Sequence, residues 1–215
     1  MDKVLVIGAN GKTGRHIIDQ LIQDKRYEPV AMVRKSHQRD RFEEKGIQVR
    51  KGDLEENFQS VFEGIDKVIF AAGSGSSTGA EKTEEVDKEG AMKSIDYAKE
   101  SGVKKYVMLS SMGTDIPDEV QGLKEYLHAK KEADDHLRNS GLLYTIVQPG
   151  GLTDAEAKGA VEVDFKLGKF GKVSREDVAS VLVECLASDK VKNISFEMLE
   201  GEEPVSEAIS RITKQ

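Results

Sequence analysis

Cysteine is almost absent from this 215-residue sequence, and a single thiol excludes an internal disulfide or a cysteine-rich metal site. Cys185 lies in an amphipathic helical stretch and has no neighbour that would lower its pKa. We therefore expect a buried structural thiol rather than a nucleophile. The four histidines lack metal-ligand spacings such as H-E-x-x-H, so the sequence predicts no metal site.

Long apolar runs and runs of positive charge are also missing. No apolar segment approaches the ~20 residues of a membrane-spanning helix, and no export signal precedes the first predicted strand. We therefore expect a cytoplasmic protein with no membrane partner. The formal net charge of −7 arises from interleaved acidic and basic residues, which argues against nucleic acid as a main partner.

The most informative pattern stands at the start of the chain. Residues 4–7 are an apolar strand pattern, a glycine-rich string follows, and residues 16–22 carry apolar side chains at helical spacing. Strand, glycine turn and helix form a phosphate cradle, because the backbone approaches a pyrophosphate only where side chains are absent. The alternative is a tight turn without a ligand. The string predicts a dinucleotide site with these members: Gly8, Asn10, Gly11, Lys12, Thr13 and Gly14.

Strands and helices alternate along the rest of the chain. We predict strands at 28–34, 47–51, 67–72, 105–110, 143–148 and 194–199. Helices are predicted at 38–45, 84–101 and 123–139, from a capped start at Ser174, and after Pro204. This order predicts a doubly wound parallel sheet between two helical layers, a three-layer αβα Rossmann fold in a single domain, 1–215.

Two segments stand at the ligand edge of that sheet. Residues 152–172 are predicted to form a small cap on the substrate side. Their side chains Leu152, Phe165 and Phe170 either line a pocket or pack in the core. The glycine- and serine-rich loop 73–79 follows the fourth strand and is either a cover for the ligand or a flexible connector.

The end of the second strand indicates which nucleotide binds. An acid there would bind ribose hydroxyls and repel a 2′-phosphate, but Arg34 and Lys35 occupy this position, with Lys12 in the glycine string. Cations favour NADP(H) over NAD(H). Ordinary solvated surface charge is the alternative.

A YxxxK string suggests the chemistry. Tyr126 and Lys130 are four residues apart on one helix face, where a cation would lower the pKa of the phenol and make it a usable proton donor. Lys130 could also hold the nicotinamide ribose. Ser110 and Ser111 end the fifth strand at the ligand edge, where a hydroxyl could bond the same substrate oxygen. Strand-end serines are also common turn residues.

Together these pieces resemble the atypical short-chain dehydrogenases/reductases of the NAD-dependent epimerase/dehydratase-like kind, similar to biliverdin reductase B-type flavin reductases and NmrA-like proteins. The resemblance covers nearly the whole chain. It implies that Asp53 contacts the adenine edge with Leu54 beside it, and that Ser111, Tyr126 and Lys130 form the catalytic group. Further positions along the nucleotide follow from matching motifs: Ala71, Ala72, Gly73, Ser110, Lys130 and Pro149.

The resemblance has one departure, since Asp87 stands where the family has its active-site asparagine. A carboxylate there could pair with Lys130. The first hypothesis is an NADP(H)-dependent oxidoreductase acting on a small carbonyl-, quinone- or flavin-like molecule. The alternatives are a non-catalytic NADP(H) sensor and a redox-neutral epimerase or dehydratase. Exposed faces of helices 84–101 and 123–139 could pair in a homodimer.

Overall fold

The computed structural model describes residues 1–73, 83–188 and 190–212, with only the backbone of residues 83–85. Most of the predicted 73–79 loop therefore lies outside the described residues. The strands have these bounds: β1 Asp2–Ile7, β2 Tyr27–Val33, β3 Gln48–Lys51, β4 Lys67–Phe70, β5 Lys105–Leu109, β6 Tyr144–Pro149, β7 Gly151–Thr153, β8 Ala160–Asp164, β9 Lys172–Ser174, β10 Ile194–Glu200 and β11 Glu203–Pro204.

The helices stand between these strands. They are α1 Lys12–Gln23, α2 Asp40–Glu43, α3 Ala91–Glu100, α4 Lys124–Asn139, α5 Arg175–Ala187 and α6 Val205–Arg211. Short 3-10 turns cover Ser36–Gln38 and Gln59–Phe62, and the wide π-helical segment Thr83–Gly90 leads into α3. The prediction of one regular helix over 84–101 is therefore corrected.

The main sheet has the order β11-β8-β10-β6-β5-β4-β1-β2-β3. Neighbouring strands from β10 to β3 are all parallel, which confirms the doubly wound Rossmann arrangement. Chain order reverses direction at β1, which lies between β2 and β4. The carboxyl ends of β1 and β4 therefore flank the crevice where such sheets bind ligands.

The alternating side chains of β1 explain the three layers. Val4 and Val6 face one core together with apolar side chains of α1, α5 and α6. Leu5 and Ile7 face the opposite core together with α3, α4 and the turn Gln59–Phe62. A strand buried on both faces reads as a continuous apolar run, as residues 4–7 do.

The segment predicted as a small cap is more closely tied to the sheet than expected. It contains β7, β8 and β9, and β8 pairs antiparallel with both β10 and β11. Val161 and Val163 on β8 are buried in the core. Leu152 packs against that core, whereas Phe165 and Phe170 are exposed. A single strand of reversed direction thus replaces part of the expected cap.

Helix α5 begins as predicted. The Ser174 hydroxyl accepts a hydrogen bond from the Asp177 backbone N–H at 3.0 Å, so Ser174 caps the helix. Cys185 on the same helix is fully buried, and burial raises the pKa of its thiol to about 12. This confirms a structural role for Cys185 rather than a nucleophilic one.

Candidate functional site

The glycine string forms a tight turn that only glycine can fill at two positions. Gly8 has a φ of +87°, and a Cβ on it would lie 2.5 Å from the backbone nitrogen of Ala72. A Cβ on Gly14 would lie 2.1 Å from the Gly8 carbonyl oxygen. Helix α1 and the end of β4 therefore approach the turn as closely as backbone allows.

The first turn of α1 points its backbone donors toward this crevice. The helix begins after Gly11, and within the described chain no side chain caps it. Uncapped N–H groups at a helix start favour an anion, and the helix dipole adds to this. The apolar spacing at residues 16–22 lies within α1, and the first turn of the helix precedes it.

A cavity of about 420 Å³ opens at this point, between the ends of β1, β2 and β4. Nine residues predicted for the cofactor line it: Gly8, Asn10, Gly11, Arg34, Asp53, Leu54, Ala71, Ala72 and Gly73. The sequence reading missed six further lining residues: Ile7, Met32, Val33, Gln38, Gly52 and Val86. The cavity lies at the switch point of the sheet, the usual place for a dinucleotide.

Arg34 lines this cavity and also an adjoining one of about 570 Å³. Lys35 and Lys51 line only the adjoining cavity. The Gln38 amide oxygen accepts hydrogen bonds from the backbone N–H groups of Arg34 (3.1 Å) and Lys35 (3.0 Å), which fixes the turn after β2. Arg34 is half exposed and its guanidinium lies 3.5 Å from a Glu55 carboxylate oxygen.

Some predicted cofactor residues lie outside that cavity lining. Lys12 forms an ion pair with Asp154, whose other oxygen accepts from Arg175 at 2.6 Å. Thr13 is buried at the start of α1, and Gly14 packs against the Gly8 carbonyl. Lys12 therefore joins the glycine turn to the segment after β7, a contact that the sequence pattern did not predict.

The candidate catalytic side chains come together beside the end of β5. The Lys130 ammonium lies 5.8 Å from the ring centre of Tyr126, one helical turn away on α4. It also donates to the Leu109 carbonyl at 3.4 Å. Ser111 stands just after β5, near enough to Tyr126 to lower the pKa of its phenol, and its hydroxyl donates to the Met112 carbonyl at 3.2 Å. The predicted group of Ser111, Tyr126 and Lys130 is thus assembled in one place.

Lys130 lowers the pKa of the Tyr126 phenol as predicted, but the net shift of that pKa is upward. Burial raises the pKa of the phenol, and the opposing effects of Lys130 and Ser111 are smaller. Sequence spacing gives the position of the cation but not the loss of solvent around the phenol.

Asp87 pairs with Lys130 inside the protein. The two charged atoms are 3.2 Å apart and both side chains are almost fully buried. Burial opposes the charge on Lys130, but Asp87 and the nearby Tyr126 outweigh it and raise the pKa of the ammonium. The carboxylate therefore keeps Lys130 charged.

A buried polar group behind this pair was missed. The Ser110 hydroxyl does not face the cavity; it donates to the Asp134 carboxylate at 2.7 Å. Gln148 at the end of β6 donates to the same oxygen at 3.4 Å. Pro149, which follows Gln148, is buried and does not line the cavity. Asp134 follows Lys130 by four residues, so helical spacing could have revealed it.

The described residues contain neither a metal-binding cluster nor a membrane-spanning helix. Among the described residues, no group of three or more His, Cys, Asp and Glu side chains could hold a metal ion. Within the same residues, no helix is long and apolar enough to cross a membrane.

Fold and cradle define a Rossmann-type nucleotide-binding protein, and the comparisons make this specific. A family model described as NAD(P)H-binding matches residues 8–189, so the chain belongs to the NAD(P)H-binding family. The resemblance to atypical short-chain dehydrogenases/reductases is confirmed.

Individual relatives agree with this family. A Bacillus subtilis (strain 168) protein named as an uncharacterized sugar epimerase, YhfK, is 36% identical over 98% of this chain and 100% of its own. A solved Bacillus halodurans structure, described as a candidate NAD-dependent epimerase/dehydratase, is 40% identical over 99% of this chain and 100% of that one, with a TM-score of 0.95. Sanguinarine reductase from Eschscholzia californica is 38% identical over 58% of this chain and 49% of its own.

The residues present fit a nicotinamide dinucleotide. The close approach of backbone at Gly8 and Gly14 brings the start of α1 against the ends of β1 and β4, and the uncapped N–H groups of α1 would supply donors for a pyrophosphate. Asp53, Leu54 and the basic side chains after β2 would hold the adenosine half. Ala72 and Gly73 would lie along the half that extends toward Tyr126.

Proposed function

We propose that this protein is an NADPH-dependent reductase of small carbonyl-, quinone- or flavin-like molecules. The observation that carries the proposal is the assembly of Tyr126, Lys130 and Ser111 at the end of β5, beside a dinucleotide cleft. The name of the sanguinarine reductase relative supports a reductase with a small organic substrate.

In this proposal each side chain has a defined task. The Tyr126 phenol donates a proton to the substrate oxygen, and the Lys130 ammonium stabilises the phenolate that remains. Ser111 donates a hydrogen bond that orients the same oxygen. A bound reduced nicotinamide supplies the hydride for the substrate carbon. Asp87 keeps Lys130 protonated, so the phenolate always has a cation beside it.

The preference for NADPH rests on charge. Arg34, Lys35 and Lys51 line the cavity that adjoins the cleft, where an adenosine 2′-phosphate would lie. Guanidinium and ammonium groups bind phosphate through charge-assisted hydrogen bonds. Asp53 and Glu56 line the same cavity and limit its positive charge. NADPH is therefore favoured over NADH without excluding the latter.

The experiment combines binding and turnover. Purified protein is titrated with NADPH and NADH by nicotinamide fluorescence, and then assayed for NADPH oxidation with quinone, flavin and carbonyl acceptors. Tyr126→Phe should bind NADPH as the wild type does and lose roughly 100-fold or more in kcat. Tyr144→Phe, on β6, is the matched control and should retain turnover. Unchanged turnover in Tyr126→Phe would refute the assigned role of this phenol.

A redox-neutral epimerase or dehydratase is the second candidate. The similarity to two full-length relatives described as epimerase or epimerase/dehydratase supports it. Such an enzyme would retain its cofactor through purification and would convert substrate without net NADPH oxidation. A non-catalytic NADPH sensor, the third reading of the sequence, would bind cofactor tightly and show no conversion with either variant.

A further inference from the structure

One face of α4 carries four polar residues at intervals of one turn. Tyr126, Lys130, Asp134 and Arg138 are four positions apart, so their side chains follow one another along the helix. Tyr126 and Lys130 belong to the candidate catalytic group. Asp134 lies one turn behind Lys130 and has no exposed surface. Arg138 lies at the end of this row and is one-third exposed.

The Asp134 carboxylate is incompletely satisfied. One oxygen accepts from Ser110 at 2.7 Å and from Gln148 at 3.4 Å, and lies 4.0 Å from the Arg138 guanidinium. Its other oxygen, Oδ1, has no hydrogen-bond partner within the described residues. A buried carboxylate with an unpartnered oxygen is costly when ionised. Burial accordingly raises the pKa of Asp134 to about 6.

Asp134 holds the wall behind the candidate reaction site. Ser110 follows β5 and precedes Ser111 of the catalytic group. Gln148 stands near the end of β6 and also donates to Thr114 at 2.7 Å. The carboxylate therefore ties α4 to the ends of two strands and to the segment that follows β5.

The charges around this carboxylate are few. Lys130 and Arg138 face it from its own helix, with Tyr126 further along. From the π-helical segment Asp87 acts through Lys130, and the contacts from β5 and β6 are the neutral Ser110 and Gln148. Lys130 thus pairs directly with Asp87, and its charge also favours the ionised form of Asp134.

The net charge of this group depends on Asp134. With Asp134 neutral, Asp87 and Lys130 balance each other. With Asp134 ionised, the group of Asp87, Lys130 and Asp134 carries one excess negative charge, because the Arg138 guanidinium is one-third exposed and already pairs with Asp135 at 2.7 Å. A net negative charge on this group opposes the formation of a phenolate on Tyr126, because the low dielectric of the protein interior screens the repulsion little.

We propose that Asp134 is a positioning residue whose protonation controls how readily Tyr126 releases its proton, through Lys130 and the Ser110 hydroxyl. The inference rests on the proposed reductase function. Neutral Asp134 leaves the Lys130 charge available to the phenolate, and reduction is fast. Ionised Asp134 offsets the positive charge of Lys130, so the phenolate is less stabilised and reduction is slower.

The first test is the pH dependence of kcat for NADPH oxidation with a quinone. It is measured from about pH 5 to 8, a range that includes the raised pKa of Asp134, about 6. Wild-type kcat should fall roughly threefold or more as pH rises and Asp134 ionises, because coupling energies between neighbouring residues typically correspond to at least that change. Asp134→Asn should stay on the fast plateau with unchanged NADPH affinity. Asp19→Asn removes an exposed carboxylate of α1 that pairs with Lys45, in the helical layer on the other side of the sheet, and should follow the wild type.

A second test needs no turnover. The titration of Asp134 is followed by carboxyl NMR, and its signal is identified by its absence in Asp134→Asn. Removing the cation in Lys130→Met should move the midpoint upward by roughly half a pH unit or more, because coupling is reciprocal. Lys131→Met, which removes an exposed cation next to it, should leave the midpoint unchanged. Lys130→Gln is the second variant if Lys130→Met does not fold.

The outcomes separate the two proposals. A midpoint unaffected by either Lys130 variant, or a wild-type inflection that persists in Asp134→Asn, overturns the role of Asp134. If Asp134→Asn lowers kcat by the same factor at every pH, the Asp134 carboxylate only supports the fold. If the Asp134 midpoint shifts but none of the tested acceptors supports NADPH oxidation, the coupling between Asp134 and Lys130 stands and only the reductase function is refuted.

Discussion

Replacing Arg34 by glutamine should convert a preference for NADPH into near indifference. The guanidinium lies at the junction of the two cavities after β2, half exposed and 3.5 Å from Glu55. Glutamine keeps the first part of the side chain and an amide, but loses the positive charge and the guanidinium fork that binds phosphate. The Gln38 contacts to this turn involve backbone N–H groups and survive the change.

The magnitude follows from the contact that is lost. A hydrogen bond to a charged group contributes about 1.5–3 kcal/mol. Because Arg34 is half exposed, solvent screening places its contribution at the lower end, about 1.5 kcal/mol. This corresponds to a roughly tenfold weaker Kd for NADPH. Lys35 and Lys51 remain, so binding is weakened rather than abolished.

The assay is a parallel fluorescence titration with NADPH and NADH at one ionic strength. The Kd for NADH should change by less than about twofold, since NADH carries no 2′-phosphate and a twofold change is under about 0.5 kcal/mol. Arg39→Gln is the matched control: it removes the same charge nearby, from a guanidinium that pairs with Glu43 at 2.7 Å. Equal losses for both nucleotides, or none, would refute the assignment of Arg34 to the 2′-phosphate.

Three further predictions concern stability and its dependence on pH. Gly14→Ala places a methyl 2.1 Å from the Gly8 carbonyl, so urea unfolding should reveal a loss of about 1–3 kcal/mol, and NADPH binding should weaken with it. Ser174→Ala removes the cap that accepts from Asp177, and should lower the free energy of unfolding by about 1 kcal/mol with no effect on NADPH affinity. The pKa of Asp134 is raised by burial from 3.8 to about 6, so its ionisation in the folded state removes stability as pH rises through that interval. At about 1.4 kcal/mol per pH unit, Asp134→Asn should gain about 3 kcal/mol relative to the wild type between pH 4 and 7, and parallel curves would contradict this.

The cofactor half of the site could be predicted because backbone geometry determines it. Strand, glycine turn and helix in sequence order leave one way to place Gly8 and Gly14, and the switch point of the sheet places Ala72 opposite them. Local patterns encode such features directly. The first turn of α1 carries no periodic apolar signal, so the start of this helix follows from the glycine string rather than from apolar spacing.

The electrostatics could not be read from the sequence. Spacing correctly put Lys130 beside Tyr126, but the direction of the phenol's pKa shift depends on burial by distant segments. The same is true of Asp134, whose burial requires the ends of β5 and β6 to close over it. The antiparallel β8 was missed for a related reason, since its direction is set by pairing with a strand thirty residues away in the chain.

The carboxylate at position 87 changes what the rest of the site must do. An amide there would leave Lys130 as a net positive charge beside the phenol. Asp87 instead cancels that charge at 3.2 Å while raising the pKa of Lys130. The phenol is buried, and its pKa is raised, so phenolate formation needs every positive contribution that remains. A second ionised carboxylate behind Lys130 would make the group net negative and oppose the reaction further. A carboxyl that is buried, incompletely hydrogen-bonded and readily protonated satisfies this constraint, whereas an ordinary surface aspartate would not.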